Sequence, residues 1–187
     1  MEAEESPVNK LCGGCFFKEI HESDIETRNP TMKTLNVPYK FLTDRPFSLL
    51  KKTENGYSLS AFLDLFNKPI IISINEEHGA EHDLNHIDLP VLKLFFSDVT
   101  KTVRLANGDE MNPIRAAECH KIFDFVGANK PDLVIVNCWA GISRSAAVCL
   151  ALNYIYGAAL PNNFWEHSYP NPFCLGKILA EYRKANK

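Results

Sequence analysis

Short apolar runs rich in β-branched residues alternate with polar stretches through the last two thirds of the chain. These runs predict buried strands at residues 69–74, 91–96 and 132–136. Between and after them, helical spacing of apolar residues predicts three helices: one from Asn112-Pro113 to Gly127, one over residues 146–156 that Gly157 ends, and one that starts at Asn171-Pro172. Strands that alternate with helices are typical of an α/β fold with a mostly parallel sheet.

The first third of the chain is less regular. Residues 1–34 are polar and charged, and they predict a loosely structured N-terminal extension. Residues 35–50 carry two prolines and predict an extended stretch at a sheet edge or on the surface. Asn55-Gly56 predicts a turn, and residues 59–66 a short helix. We therefore expect an extension over 1–34 and a single domain over 35–187.

The candidate chemistry lies between the third strand and the helix that follows it. Cys138 and Arg144 flank a tight loop, with Gly141 where the backbone must turn sharply. Backbone N–H groups of a loop that opens onto a helix N-terminus converge and attract an anion. A thiol beneath them is stabilised as the nucleophilic thiolate, and the arginine fork matches two phosphate oxygens. The alternative is a structural cysteine beside a capping serine and an arginine salt bridge.

The loop carries a family resemblance. Cys138, Gly141, Arg144 and Ser145 match the pattern Cys-x-x-Gly-x-x-Arg-Ser/Thr, and through them the sequence resembles the cysteine-dependent protein tyrosine phosphatase superfamily. The resemblance covers residues 68–185 and is closest to the compact dual-specificity-like branch and its small bacterial relatives. It implies a central, mostly parallel sheet flanked by helices, with the Cys-x5-Arg phosphate-binding loop between a strand and a helix.

The resemblance also implies an activity. It points to a hydrolase, without metal or other cofactor, that removes phosphate from phosphotyrosine, and in the dual-specificity branch also from phosphoserine and phosphothreonine, in phosphorylated proteins. Cys138 would form a phosphocysteine intermediate, and Ser145 would hydrogen-bond its sulfur and ease its departure. The phosphate would be held by the residues that follow the cysteine: Trp139, Ala140, Gly141, Ile142, Ser143 and Arg144.

Three positions outside that stretch belong to the same expectation. Asp98 follows a predicted strand, at the sheet edge where Cys138 also lies, and matches the family's general acid; Asp109 and Glu110 are the alternatives. Pro170-Asn171 matches a pair that sends its asparagine towards the loop, in addition to capping the last helix. Asn137 stands where the family usually has a histidine. Asparagine can donate similar hydrogen bonds but does not titrate near neutrality.

Two other clusters contain residues that bind metals in other proteins. Cys12 and Cys15 have the spacing of half a zinc site or of a redox pair. No second cysteine pair matches them, and the strand that precedes a redox motif is not evident, which favours a loosely packed segment. His78, His82 and His86 lie four apart, but Gly79 and the absence of an apolar stripe argue against a helix there. We expect a solvated loop at these histidines rather than a metal site.

Composition bounds the remaining possibilities. The chain has 187 residues, 45% of them hydrophobic, and a net charge of −3, which suits one globular core and gives no reason to expect nucleic acid or an anionic membrane as partner. No apolar window has the length of a membrane span, and the acidic N-terminus does not resemble a signal peptide. Six cysteines together with a working thiolate suit a reducing compartment, so we expect a cytoplasmic protein.

Other function classes share parts of this pattern. A phosphate-binding module without turnover would fit the asparagine at position 137, although Cys138 and Asp98 argue for catalysis. Sulfur-transfer and arsenate-reducing enzymes also use a cysteine in a short loop closed by arginine, but related reductases carry that loop near the N-terminus. A phosphatase of a non-protein phosphomonoester is the third alternative. The neutral loop interior favours a phosphoprotein over a polyanionic ligand.

Overall fold

The computed structural model describes residues 32–43, 48–53, 56–58, 63 and 65–187. Its strands are β1 (Lys33–Pro38), β2 (Ser48–Thr53), β3 (Gly56–Ser58), β4 (Pro69–Asn75), β5 (Val91–Phe95), β6 (Val103–Arg104), β7 (Glu110–Met111) and β8 (Leu133–Cys138). Its helices are α1 (Tyr39–Thr43), α2 (Ala116–Asn129), α3 (Arg144–Tyr156), α4 (Phe164–His167) and α5 (Pro172–Ala185).

A four-stranded parallel sheet in the order β1-β8-β4-β5 forms the centre of the fold. Its middle strands, β4 and β8, are buried along almost their whole length because apolar side chains cover both faces. Val134 and Val136 pack on the face shared with α3, whereas Leu133 and Ile135 pack on the opposite face with Leu42. This arrangement confirms the predicted α/β fold class. Two antiparallel pairs, β2-β3 and β6-β7, lie outside the main sheet.

Several predicted boundaries are confirmed. β4 and β5 correspond to the first two predicted strands, and β8 continues two residues beyond the third, as far as Cys138. α3 ends where Gly157 adopts a φ of +66°, as expected for a glycine that terminates a helix. Asn171 caps α5, and its side-chain oxygen accepts a hydrogen bond from the Cys174 N–H at 2.9 Å.

The predicted bounds of the helix before β8 are wrong at both ends. α2 begins at Ala116 because Asn112 is engaged elsewhere: its carbonyl accepts from the Ser97 N–H at 2.7 Å, and its N–H donates to Glu77 at 2.8 Å. Gly127 does not stop α2, which continues to Asn129, because an isolated glycine is tolerated inside a helix at a modest cost. The helix ends instead at Lys130, which adopts the left-handed φ of +46°.

The predictions for the first third of the chain are partly right, partly wrong and partly outside the described residues. The extended stretch expected over residues 35–50 is right for β1, an edge strand of the main sheet, and wrong for α1, which interrupts it. Cys12, Cys15 and Asn55 lie outside the described residues, as does most of the helix predicted over 59–66. Within the described ranges, none of the helices has the length and apolar character that crossing a membrane would require.

Candidate active site

A cavity of about 570 Å³ opens at the carboxyl end of the main sheet. Cys138 at the end of β8 and Arg144 at the start of α3 line it from one side. Glu76 and His82 reach it from the chain after β4, and Asp98 from the chain after β5. The parallel topology therefore brings side chains as far apart in the sequence as Glu76 and Arg144 into one cavity, as expected for strands that end at the same edge of a sheet.

Gly141 fixes how the loop between β8 and α3 meets the sheet. It adopts a φ of +68°, and a Cβ at this position would lie 2.3 Å from the backbone nitrogen of Pro38. The loop therefore packs directly on the end of β1, at a distance that only glycine allows. The sharp turn predicted at Gly141 is confirmed.

The loop carbonyl groups bind to the surrounding structure. The Trp139 carbonyl accepts from the Tyr39 N–H at 3.2 Å, and the Gly141 carbonyl from the Asn36 side-chain amide at 2.7 Å. The Ile142 carbonyl accepts from the Tyr169 N–H at 2.9 Å, and the Ser143 carbonyl from the N–H groups of Ala147 and Asn171 at 2.9 and 3.3 Å. In a trans peptide the C=O and N–H bonds point in opposite directions. The N–H groups of these same peptides therefore point towards the inside of the loop, which can bind an anion.

Cys138 is buried at the base of this loop, and its Sγ lies 3.1 Å from the Ser145 hydroxyl oxygen. That contact is the one the sequence predicts for Ser145. The other cysteines in the described part of the chain lie in the core, where burial raises the pKa of the Cys119 thiol to about 12 and raises those of Cys149 and Cys174 well above the usual range. These three thiols stay protonated at neutral pH and are unreactive.

Arg144 is 5% exposed, and its three guanidinium nitrogens differ in their hydrogen-bond partners. Nη1 donates to the Phe96 carbonyl at 2.8 Å, and Nη2 pairs with the Glu76 carboxylate at 2.5 Å. Nε is buried and has no hydrogen-bond partner within the described residues. A buried charged donor without a partner is costly, so Nε is the atom that an incoming anion would satisfy.

Asp98 lies three residues beyond the end of β5 and faces the same cavity. Its Oδ1 accepts hydrogen bonds from the Ser143 hydroxyl at 3.0 Å and from the Asn171 side-chain amide at 2.6 Å. Asn171 thus joins the start of α5 to both Asp98 and the loop, which is the position predicted for it. The alternative acids, Asp109 and Glu110, lie at the β6-β7 hairpin and are not among the residues that line the cavity.

Asn137 is fully buried, and its side-chain nitrogen lies 3.1 Å from His82 Nδ1. The solvated loop expected around the histidines is therefore wrong for His82, which is 3% exposed. Burial, and then the positive charges of Arg144 and Lys93, lower the pKa of His82 to about 4, so its ring is neutral at physiological pH.

The other two histidines of that loop bind elsewhere. His78 Nε2 donates to the Glu110 carbonyl at 2.9 Å, and His86 Nε2 donates to the Leu42 carbonyl at 3.0 Å. The even spacing of the three histidines in the sequence therefore does not bring their rings together.

Sequence reasoning missed several residues that support the site. Glu76 follows a buried strand as Asp98 does, so the rule that found Asp98 could have found it. Tyr39 and Asn36 carry no such signal, because their role depends on β1 lying beside β8. Trp139, predicted to help hold the phosphate, has its side chain 68% exposed at the rim, so only its backbone can serve that purpose.

A comparison with solved structures finds several similar chains, all at low identity and low TM-score. Among solved structures, human DUSP28 is similar, with 16% identity over 84% of this chain and 94% of that one and a TM-score of 0.45. PTPMT1 is 19% identical over 82% of this chain and 92% of its own, with a TM-score of 0.42. The Yvh1 phosphatase domain from Chaetomium thermophilum is 17% identical over 62% and 80%, with a TM-score of 0.37.

These proteins are members of the cysteine-dependent protein tyrosine phosphatase superfamily, the one that the loop sequence resembles. At these identities and TM-scores the likeness assigns neither a family nor an activity to this chain. No protein-family model matches the chain, and no curated protein sequence matches it significantly.

Proposed function

We propose that this protein is a metal-independent phosphatase that hydrolyses phosphomonoesters through a phosphocysteine intermediate on Cys138. The observation that carries the proposal is one cavity in which a buried cysteine, paired with the Ser145 hydroxyl at 3.1 Å, lies beside a buried arginine whose Nε has no partner among the described residues. Inward-pointing loop N–H groups supply the remaining donors for a phosphate dianion.

The first chemical step transfers the phosphoryl group to the enzyme. The Cys138 thiolate forms an S–P bond as the P–O bond to the leaving group breaks. Arg144 and the loop N–H groups bind the non-bridging oxygens, where charge spreads in the transition state. Asp98 donates its proton to the departing oxygen. Because Oδ1 of Asp98 already accepts from Ser143 and Asn171, Oδ2 is the oxygen that carries this proton.

The second step restores the enzyme. Water attacks the phosphorus while Asp98, now ionised, accepts its proton. The S–P bond breaks, inorganic phosphate forms, and the sulfur leaves as a thiolate that the Ser145 hydroxyl stabilises by donating a hydrogen bond. This chemistry needs an unoxidised Cys138, and the cytoplasmic location expected from the cysteine content is part of the proposal.

The proposed substrate is a phosphorylated protein, with phosphotyrosine as the preferred residue. Arg144 is the one cationic side chain among the described residues that line the cavity, and two carboxylates, Glu76 and Asp98, lie near it. A polyanionic ligand would need further cations that this lining does not offer, whereas Arg144 and the loop N–H groups can hold one phosphate on an uncharged stem. Trp139 and Ile142, both exposed at the rim, offer apolar contacts to an aromatic stem.

The decisive experiment measures hydrolysis of an aryl phosphate in the presence of EDTA. We expect wild-type turnover, no activity in Cys138→Ser, and a loss of about 10²-fold in Asp98→Asn. Asp109→Asn makes the same chemical change outside the cavity and should keep wild-type activity. A wild-type protein that binds phosphopeptides without turnover would instead be a phosphate-binding module. Loss of activity in Asp109→Asn but not in Asp98→Asn would refute the assignment of the acid.

A panel of substrates tests the specificity. Peptides that carry phosphotyrosine should be hydrolysed with a kcat/KM at least about tenfold above that for the same peptides with phosphoserine. A phosphoinositide serves as the non-protein arm. If it is hydrolysed faster than any phosphopeptide, the phosphatase proposal stands and the phosphoprotein assignment is wrong.

A further inference from the structure

Four side chains form a cluster that we call the His82 cluster: Ser73, His82 and Asn137, which are buried, and Tyr39, which is half-buried. His82 Nδ1 lies 3.0 Å from the Ser73 hydroxyl and 3.1 Å from the Asn137 side-chain nitrogen. The His82 ring stacks on Tyr39, with centroids 3.9 Å apart and planes within 9°. Ser73 and Asn137 are neighbours in the β4-β8 pairing, so His82 covers the junction of these two strands.

The His82 cluster is attached to the loop at two points. Asn137 immediately precedes Cys138 in β8. Tyr39 donates its backbone N–H to the Trp139 carbonyl at 3.2 Å. His82 contacts both Asn137 and Tyr39, and it thereby joins the two supports of the first loop peptides.

His82 is itself held in a fixed position. Its backbone N–H donates to the Asn75 side-chain oxygen at 2.7 Å, and its side chain is 3% exposed. Its pKa of about 4 keeps the ring neutral, so that Nδ1 can accept a hydrogen bond from the Asn137 amide at neutral pH.

We propose that His82 is a positioning residue for the Cys138 loop, acting through Asn137 and Tyr39. This inference rests on the proposed function of that loop. The side-chain oxygen of Asn137 is buried without a partner in the described structure, and its nitrogen binds His82. Without His82 the whole buried amide would lack a partner, and the strand end that carries Cys138 would rearrange to satisfy it. A small displacement there moves the sulfur relative to the loop N–H groups.

The test uses His82→Phe, which keeps an aromatic ring against Tyr39 and removes Nδ1. His82→Asn keeps a polar atom near the Nδ1 position and serves as the conservative variant. His78→Phe makes the same change in the same loop at a residue that binds the Glu110 carbonyl instead, and it is the matched control. Asn137→Ala and the double variant His82→Phe/Asn137→Ala complete a mutant cycle.

Two readouts are compared across these variants. The first is the rate of Cys138 alkylation by iodoacetamide at one fixed pH, followed by mass spectrometry of the Cys138 peptide so that the remaining cysteines do not interfere. The second is kcat and KM with an aryl phosphate. We expect His82→Phe and Asn137→Ala each to slow alkylation by about tenfold and to lower kcat by about 10- to 100-fold, with KM changed less than about threefold. The double variant should lose no more than the worse single variant, and His82→Asn should recover most of both losses.

The opposite results would overturn the proposal. It is wrong if His82→Phe behaves like His78→Phe in both readouts, or if the double variant loses the product of the two single effects. If His82→Phe does not fold, as judged by thermal unfolding, Asn137→Ala decides, and wild-type alkylation and kcat in that variant refute the proposal. If the wild type shows no turnover but the alkylation pattern holds, the phosphatase proposal fails and the positioning role stands.

Discussion

Replacing Gly141 by alanine should disrupt the site through the backbone of β1. The added Cβ would lie 2.3 Å from the Pro38 nitrogen, and ordinary contact begins at 3.4 Å, so the two segments must separate by about 1.1 Å. Backbone atoms of a paired strand cannot rotate away as a flexible side chain can. The displacement therefore falls on the loop and on the end of β1 together.

The magnitude follows from two costs. Alanine at a φ of +68° costs about 1 kcal/mol, and overpacking against fixed backbone about 1 to 3 kcal/mol more. We expect Gly141→Ala to lower the free energy of unfolding by about 2 to 4 kcal/mol, measured by chemical denaturation. Because a misplacement of about 1 Å can reduce catalysis about 10²-fold, we expect a loss of that size in kcat/KM for an aryl phosphate.

Gly108→Ala separates the two costs. Gly108 has a φ of +90°, and nothing lies within 4 Å of the position its Cβ would take. This control should lose only about 1 kcal/mol and keep its activity. If Gly141→Ala is no less stable than Gly108→Ala, or keeps kcat/KM within about twofold of wild type, the close contact between the loop and β1 does not constrain the site.

Three further perturbations test other contacts. Glu76→Gln removes the carboxylate that pairs with Arg144, so it should destabilise the phosphate-free protein by about 1 to 2 kcal/mol. It should also enlarge the rise in melting temperature that inorganic phosphate produces, and an unchanged rise would refute this prediction. Asn171→Ala removes both a helix cap and a donor to Asp98, so it should lower the free energy of unfolding by about 1 to 2 kcal/mol in denaturant and reduce kcat. Asn163→Ala changes a cap position that has no side-chain hydrogen bond, and its free energy of unfolding should stay within about 0.5 kcal/mol of wild type. Because the pKa of His82 falls from 6.5 to about 4 on folding, the folded protein is stabilised above pH 6.5, where this histidine is neutral in both states. About 1 to 3 kcal/mol of that stability should be lost as the pH falls towards 4. In His82→Phe, the free energy of unfolding measured by denaturation should vary less over this pH range.

Local patterns predicted the parts of the site that depend on local chain geometry. The spacing from Cys138 to Ser145, the turn at Gly141 and the cap at Asn171 each require residues only a few positions apart, so the sequence contains the whole signal. The location of Asp98 near Cys138 could be predicted because the strands of a parallel sheet end at one edge.

The parts that were missed depend on packing between distant segments. Nothing near Asn112 in the sequence shows that Ser97 and Glu77 bind its backbone, so the sequence alone predicts a start of α2 that is too early. His82 lies in a polar stretch whose sequence predicts a solvated loop. It is buried because it packs against Tyr39 and Asn137, which are 43 and 55 positions away in the sequence (82 − 39 and 137 − 82).

The anchoring of the loop carbonyls has a consequence for the order in which the protein is made. Asn36 and Tyr39, near the start of the described chain, and Tyr169 and Asn171, near its end, hold the same loop. The interval from Asn36 to Asn171 is 135 residues (171 − 36), which takes about 7 to 27 s at typical rates of protein synthesis. Cys138 is synthesised 33 residues before Asn171 (171 − 138), which is about 2 to 7 s earlier at the same rates. Until residues 169 and 171 have emerged, the loop lacks two of its supports, so its full set of contacts forms only after Asn171 is available.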